Sequence, residues 1–164
     1  MEKVGTKLRD TPVKSNPWAG DKCEKSDCMV CQSTAEGEPK GDCRVKSTVY
    51  HNTCIPCKQS GTLSQYVGET SRATWQRSEE HVKDINSKDT SHMRLHLDKA
   101  HPGWENAKDF FRMSVNSYAR SAVSRQILEA IQIRNGLGTL NDKKEYSRCL
   151  LPSLTTYWKP AEFS

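Results

Sequence analysis

A chain of 164 residues has room for one domain with tails but not for two large cores, and Leu, Ile, Val and Phe make up only 27 of its positions, too few for a core that relies on burial alone. Seven cysteines and five histidines stand against that shortage, most of them in the first two thirds of the chain. The balance of 25 Lys and Arg against 20 Asp and Glu, +5, is compatible with a polyanionic partner without requiring one; with neither a signal-like start nor a run of ~20 apolar residues, a soluble intracellular protein with no membrane partner is expected.

Residues 1–22 mix Lys, Asp, Pro, Gly and Ser around a lone Trp18 and read as a flexible N-terminal arm. From Cys23 the texture changes to close cysteine spacings, Cys23-x4-Cys28-x2-Cys31 and then Cys43. Arg44 to Tyr50 alternates with β-branched residues and predicts a strand, and Gln65 to Thr70 predicts its partner. Thr70 and Ser71 are good N-cap types for a helix running to about Ser87, with Trp75, Glu79 and Val82 near one side and Arg77 with His81 on another.

A shorter helix from about Ser91 carries Leu95, Leu97 and three histidines, and Asp109 to Ser117 predicts a buried third strand. Ala119 to Asn135 is the clearest helix. Val123, Ile127 and Ile131 recur at four-residue steps as its expected core stripe, Glu129 faces away, and Gly136 stops it. Past Asn141 the chain turns basic, and 155–164 reads as a tail. The elements together predict an α+β fold: a small, mostly antiparallel sheet of about three strands flanked by helices.

The cysteines fall into two groups with metal-ligand spacing. Cys54-x2-Cys57 with His96-x4-His101 makes a set of two thiols and two imidazoles, although the 38 residues between Cys57 and His96 far exceed an independent finger, so a strand and a helix must lie inside the loop. His92 is the rival to His96. Cys23, Cys28, Cys31 and Cys43 make a second tetrahedral set, leaving Cys149 as a free or buried thiol. Clustered thiols in a reducing compartment favour two structural Zn²⁺ ions over disulfides, each site closed by four protein ligands. The bland alternative is that the histidines are ordinary surface residues.

Thr48-Val49-Tyr50, then Tyr66-Val67-Gly68-Glu69-Thr70, then Arg77, Glu129 and Asn141 follow the order of the GIY-YIG nuclease domain, which the chain resembles over about residues 23–154. The cysteines between the two tyrosine motifs, the Gly-Glu-Thr-Ser-Arg continuation and the later histidine pair are most similar to the endonuclease domain of Penelope-like retroelements. Thr48 stands where that family has a glycine, and the fifteen residues between Tyr50 and Tyr66 exceed its usual spacing by the inserted knuckle. Residues 44–154 would then be the nuclease-like domain and 23–43 a separate knuckle of four cysteines.

The resemblance implies hydrolysis of DNA phosphodiesters with one Mg²⁺ (or Mn²⁺), Glu129 being its only protein ligand. Arg77 would neutralise the developing phosphorane, Tyr50 would help to deprotonate the attacking water, and Tyr66 would position the water or the phosphate. His81, one turn beyond Arg77, would relay a proton or touch phosphate; Asn141 completes the motif set. Arg72, Arg120, Arg125, Lys143 and Lys144 would contact DNA phosphates. Nuclear DNA, and a reverse transcriptase domain of a larger element, are the implied partners. Taken singly, each residue has a plain alternative: Tyr50 and Tyr66 as half-buried strand residues, Arg77 and His81 as a solvated face, Glu129 paired with Arg125, Asn141 as a turn. A zinc-stabilised nucleic-acid-binding module without catalysis, or a zinc-based protein adapter, competes with the nuclease.

Overall fold

The computed structural model describes residues 25–33 and 42–142. The expected N-terminal arm, Cys23, Lys143, Lys144, Cys149 and the tail lie outside them. Strands β1 (Thr48–Cys54), β2 (Gln65–Thr70) and β3 (Phe111–Tyr118) form one sheet in the order β2-β1-β3, with both pairings antiparallel. Around it lie α1 (Ile55–Gln59), α2 (Thr74–Ser87), α3 (His92–Ala100), the short α4 (Ala107–Phe110) and α5 (Ala122–Arg134). The architecture is α+β, as the elements predict, with Cys/His groups able to hold zinc.

β1 begins four residues later than the alternation suggests. Ser47 takes a left-handed φ of 61° just before it, and Val45, instead of joining the sheet, uses its carbonyl to accept the N–H and hydroxyl of Thr74 at 2.9 and 2.8 Å. The strand runs on through His51-Asn52-Thr53. Asn52, a poor strand former, is fully buried and its amide donates to Met93 Sδ at 3.7 Å. α2 likewise starts at Thr74 rather than after Ser71: Thr70 Oγ1 accepts the Arg72 N–H at 3.0 Å in a turn, and the Gln76 side chain accepts the Ala73 N–H at 3.3 Å in place of a hydroxyl cap.

Pleating sends alternate residues to opposite faces. Tyr50, Phe111 and Met113 pack against Ile85 of α2 and Met93 and Leu97 of α3, joined by Met29 from the cysteine knuckle. Fully burying groups such as Phe111, Ile85 or Leu97 stabilises the fold by roughly 1.5–3 kcal/mol each. The knuckle extends this layer past the sheet edge. Met113 N–H donates to the Met29 carbonyl at 3.2 Å, Lys25 lies 4.9 Å over the Trp75 ring, and Lys108 bridges Asp27 and Glu79 at 2.7 and 3.0 Å.

The opposite face holds a small cluster, Val49 and Val67 against Ile133 and Leu128 of α5. Here the expected stripe is turned outward: Val123 is 57% and Ile131 46% exposed, while Arg125, Ala130, Gln132 and Ile133 are buried. The sheet supplies the reason. Glu69, His51 and Asn116 line this side, and Arg125 Nε donates to Glu69 Oε2 at 2.7 Å while Gln132 bonds both His51 and Asn116. A helix can dock through a buried ion pair and an amide when the surface beneath it is polar, because leaving those groups unmatched would cost more than exposing two aliphatic side chains.

β2 is an edge strand, and residues 139–141 cover part of that edge. Thr139 Oγ1 accepts the Gln65 N–H at 2.9 Å, the Leu140 N–H donates to the Gln65 carbonyl at 3.0 Å, and the Asn141 amide completes the ladder on Val67. Its Oδ1 accepts the Val67 N–H at 2.8 Å and its Nδ2 donates to the Val67 carbonyl at 2.9 Å. Asn141 therefore imitates a strand residue with its side chain and protects the sheet edge. Asn141→Ala should lower stability by about 1–3 kcal/mol in urea unfolding, since two buried backbone groups lose their partners; an unchanged midpoint would contradict this role.

Candidate active site

Three separate elements bring four of the motif residues together. Tyr50 leaves the middle of β1 directly opposite Gly68 of β2, and its ring lies flat across that position. A Cβ on Gly68 would sit 2.6 Å from Tyr50 Cζ and closer still to the hydroxyl oxygen, so only glycine admits this ring. The space Gly68 provides is used by the Tyr50 side chain.

Tyr50 is 0% exposed, and its hydroxyl is held from α2 on two sides. Arg77 Nε–H donates to it at 3.0 Å, and His81 Nε2 lies 2.7 Å away. Burial, with the charge of Arg77 adding to it, pushes the His81 pKa down to about 3. The ring is thus neutral, Nε2 accepts the Tyr50 proton, and the His81 proton resides on Nδ1. Burial also raises the Tyr50 pKa well above the ordinary phenol range, with Arg77 opposing the rise and Glu129 reinforcing it. Tyr66, half-buried, completes the group with its ring 5.4 Å from that of His81 at 69°.

Glu80 braces the far end of Arg77, 2.9 Å from Nη1, and also pairs with Arg72. A cavity of about 210 Å³ opens beside this cluster. Tyr66, Arg77 and His81 line it together with Asp84, Lys88 and His92, the last three contributed by the end of α2 and the start of α3. Nothing in the sequence motifs points to Asp84, Lys88 or His92 as part of this lining.

The remaining expectations divide. Glu129 comes from α5, on the other face, and is outside the cavity lining; it is half-buried and near enough for its charge to act on the Tyr50 hydroxyl. Arg125 pairs with Glu69 of the sheet. It is 4% exposed and also donates to the carbonyls of Ala119 and Arg120 at 3.0 and 2.8 Å, so it is a structural residue and not a phosphate contact. Arg72 and Arg120 are exposed, and Arg120 Nε donates to the Tyr118 hydroxyl at 3.2 Å.

The set of two cysteines and two histidines converges. Cys54 ends β1, Cys57 lies in α1 after Pro56, His96 is in α3 and His101 is its C-cap. Nε2 of His101 is 3.3 Å from both sulfurs, and Nε2 of His96 is 3.5 Å from Cys57 Sγ. Tetrahedral Zn²⁺ with Zn–S ~2.3 Å and Zn–N ~2.0–2.1 Å sets S···N edges of about 3.5 Å, so the donors already stand at coordination spacing. Burial pushes the Cys54 thiol up to about 11, with Cys57 beside it adding to the rise, and burial together with His101 lowers His96. A neutral imidazole is the form a metal binds, and a cation would reverse the thiol shift. His92, the rival ligand, is elsewhere: its Nδ1 is 2.9 Å from the Leu140 carbonyl. Cys28, Cys31 and Cys43 form a second group, their sulfurs within 4.8 Å of one another; Cys23 lies outside the described residues.

No family model, curated protein or solved structure matches this chain.

The neutral His81 has a consequence for acid stability. Its pKa is lower folded than unfolded, so the folded state binds fewer protons, and stability is full above the unfolded value of about 6.5 and lost as pH falls toward about 3. In urea titrations between those limits, His81→Phe should show a shallower loss of stability with falling pH than wild type; parallel slopes would contradict a buried neutral imidazole.

Proposed function

We propose that the chain is a DNA endonuclease of the GIY-YIG type, stabilised by two structural Zn²⁺ ions. The observation that carries this reading is the Tyr50–Arg77–His81 cluster over Gly68. Hydrogen bonds tie Tyr50 of β1 to Arg77 and His81 of α2 across Gly68 of β2, an arrangement that a simple core would not need, beside a cavity that Arg77 lines. A phosphodiester is a monoanion; Lys88 is paired to Asp84 at 2.6 Å, and Arg77, whose Nη1 is braced by Glu80 at 2.9 Å, is the planar cation that the cluster presents to it. Tyr50, buried and hydrogen-bonded on both sides, acts here by fixing Arg77 and His81 in place.

Glu129 suits a weakly held Mg²⁺, since one half-buried carboxylate leaves an octahedral ion most of its waters and lets the substrate phosphate complete the shell. Such an ion would supply Lewis-acid stabilisation of charge on the phosphoryl oxygens. Cys54, Cys57, His96 and His101 would hold one zinc, and Cys28, Cys31 and Cys43 with Cys23 the other. DNA in the nucleus is the proposed substrate, alone or alongside a reverse transcriptase. A second reading, a zinc-stabilised DNA-binding module without catalysis, draws support from the position of Glu129 outside the cavity lining.

Purified protein incubated with supercoiled plasmid and Mg²⁺ should produce nicked or linear DNA, and Arg77→Ala and Glu129→Ala should each lose at least about 100-fold in rate. Binding without cleavage by wild type, with affinity falling steeply as salt rises, selects the second reading. Freshly purified, reduced protein should contain two equivalents of zinc by elemental analysis, and Cys57→Ser should lose one of them; less than one equivalent in wild type would reject both metal assignments.

A further inference from the structure

The base for the attacking water is left open by the tyrosine cluster. Tyr50 is fully buried with its hydroxyl engaged on both sides. His81 is 6% exposed, and its Nε2, the nitrogen with the lone pair, is occupied by the Tyr50 proton. Lys88 and Asp84, one helical turn apart, are paired with each other. Of the titratable groups that line the cavity, the one with the geometry of an oriented base is His92. It opens α3, reaches the same space as Tyr66, Arg77 and His81, and is oriented by the Leu140 carbonyl, which lies 2.9 Å from Nδ1. A carbonyl only accepts, so this contact fixes the proton on Nδ1 and leaves the lone pair on Nε2 for the cavity. A base held in one tautomer by a third group is the arrangement that general-base catalysis requires.

We propose that His92 is the general base of the reaction, a catalytic residue outside the tyrosine motif set. The inference rests on the endonuclease reading. Nε2 takes a proton from a water in the cavity as the water oxygen forms its bond to phosphorus and the phosphorus–oxygen bond to the leaving strand breaks. The leaving oxygen takes a proton from a second water, and the imidazolium returns its proton to solvent. Asp84 and Lys88 from α2, Arg77 and His81 from the same helix and Tyr66 from β2 are the charged and titratable groups that face it. Leu140 belongs to the segment that covers the β2 edge, so the base and the sheet edge share one support.

Two substitutions separate catalysis from packing. His92→Asn keeps an N–H donor near the place of Nδ1 for the Leu140 carbonyl and removes the lone pair at Nε2, whereas His92→Ala removes both. In single-turnover plasmid cleavage His92→Asn should fall roughly 10²–10⁴-fold with DNA affinity unchanged, and the acid limb of the rate–pH profile should disappear with it. Added imidazole should restore part of the rate of His92→Ala. Cleavage by His92→Asn within about threefold of wild type overturns the proposal while leaving the endonuclease reading intact. A wild type that binds DNA and never cuts it overturns both.

Discussion

Much of this structure is organised around the Tyr50 hydroxyl, which sits in the interior with Arg77 on one side and His81 on the other. A buried phenol needs both its donor and its acceptor satisfied, and α2 meets both needs from positions one helical turn apart. That requirement fixes the helix against the sheet. It also explains Gly68, because the ring reaches α2 only by crossing the neighbouring strand where no Cβ stands. Tyrosine, glycine, arginine and histidine are thus one physical unit: losing Arg77 or His81 removes a partner of the buried Tyr50 hydroxyl, and a side chain at Gly68 would displace the ring.

The scarcity of large aliphatic residues is met around this unit by polar and sulfur-bearing contacts. Cys54, Cys57, His96 and His101 bring the end of β1 against α3, while the knuckle that carries Cys28 and Cys31 meets β3 through Met29 and α2 through Lys25. On the opposite face, Arg125 with Glu69 and Gln132 with His51 and Asn116 attach α5 alongside Ile133 and Leu128. The two faces of a three-stranded sheet are therefore held by different chemistry. The thiol and tyrosine face is compact enough to support a cavity, and α3 links that cavity to the metal group, with His92 lining one and His96 in the other.

The sequence is most legible where covalent spacing limits geometry. Cys54 and Cys57 three apart, and His96 and His101 five apart at a helix end, can meet at one point almost whatever lies between them, and their donor atoms do. The pairing of β1 with β2 is also readable, whereas the register that sets Gly68 opposite Tyr50 is not. Misreadings arise where the sequence offers a pattern but not its partner. Val123, Ile127 and Ile131 are helical in period, yet the period says nothing of which side of the helix meets the sheet. Arg125 reads as a surface cation because Glu69 is far away in the chain. Asn141 reads as a site residue because its ordinal place in a motif does not show that its amide faces Val67.

The residue pattern alone sets the inventory and its local geometry: three strands, helices with their approximate ends, and two ligand groups. Near neighbours along the chain decide these things through short-range sterics and hydrogen bonding. Only the tertiary structure decided that His92 turns to the cavity while His96 turns to the cysteines, that Tyr50 is interior, and that α5 docks by its polar side. Each of those depends on groups many residues apart, on which element covers which face, and on the cost of burying a polar atom without a partner. That cost has no value until the chain is folded.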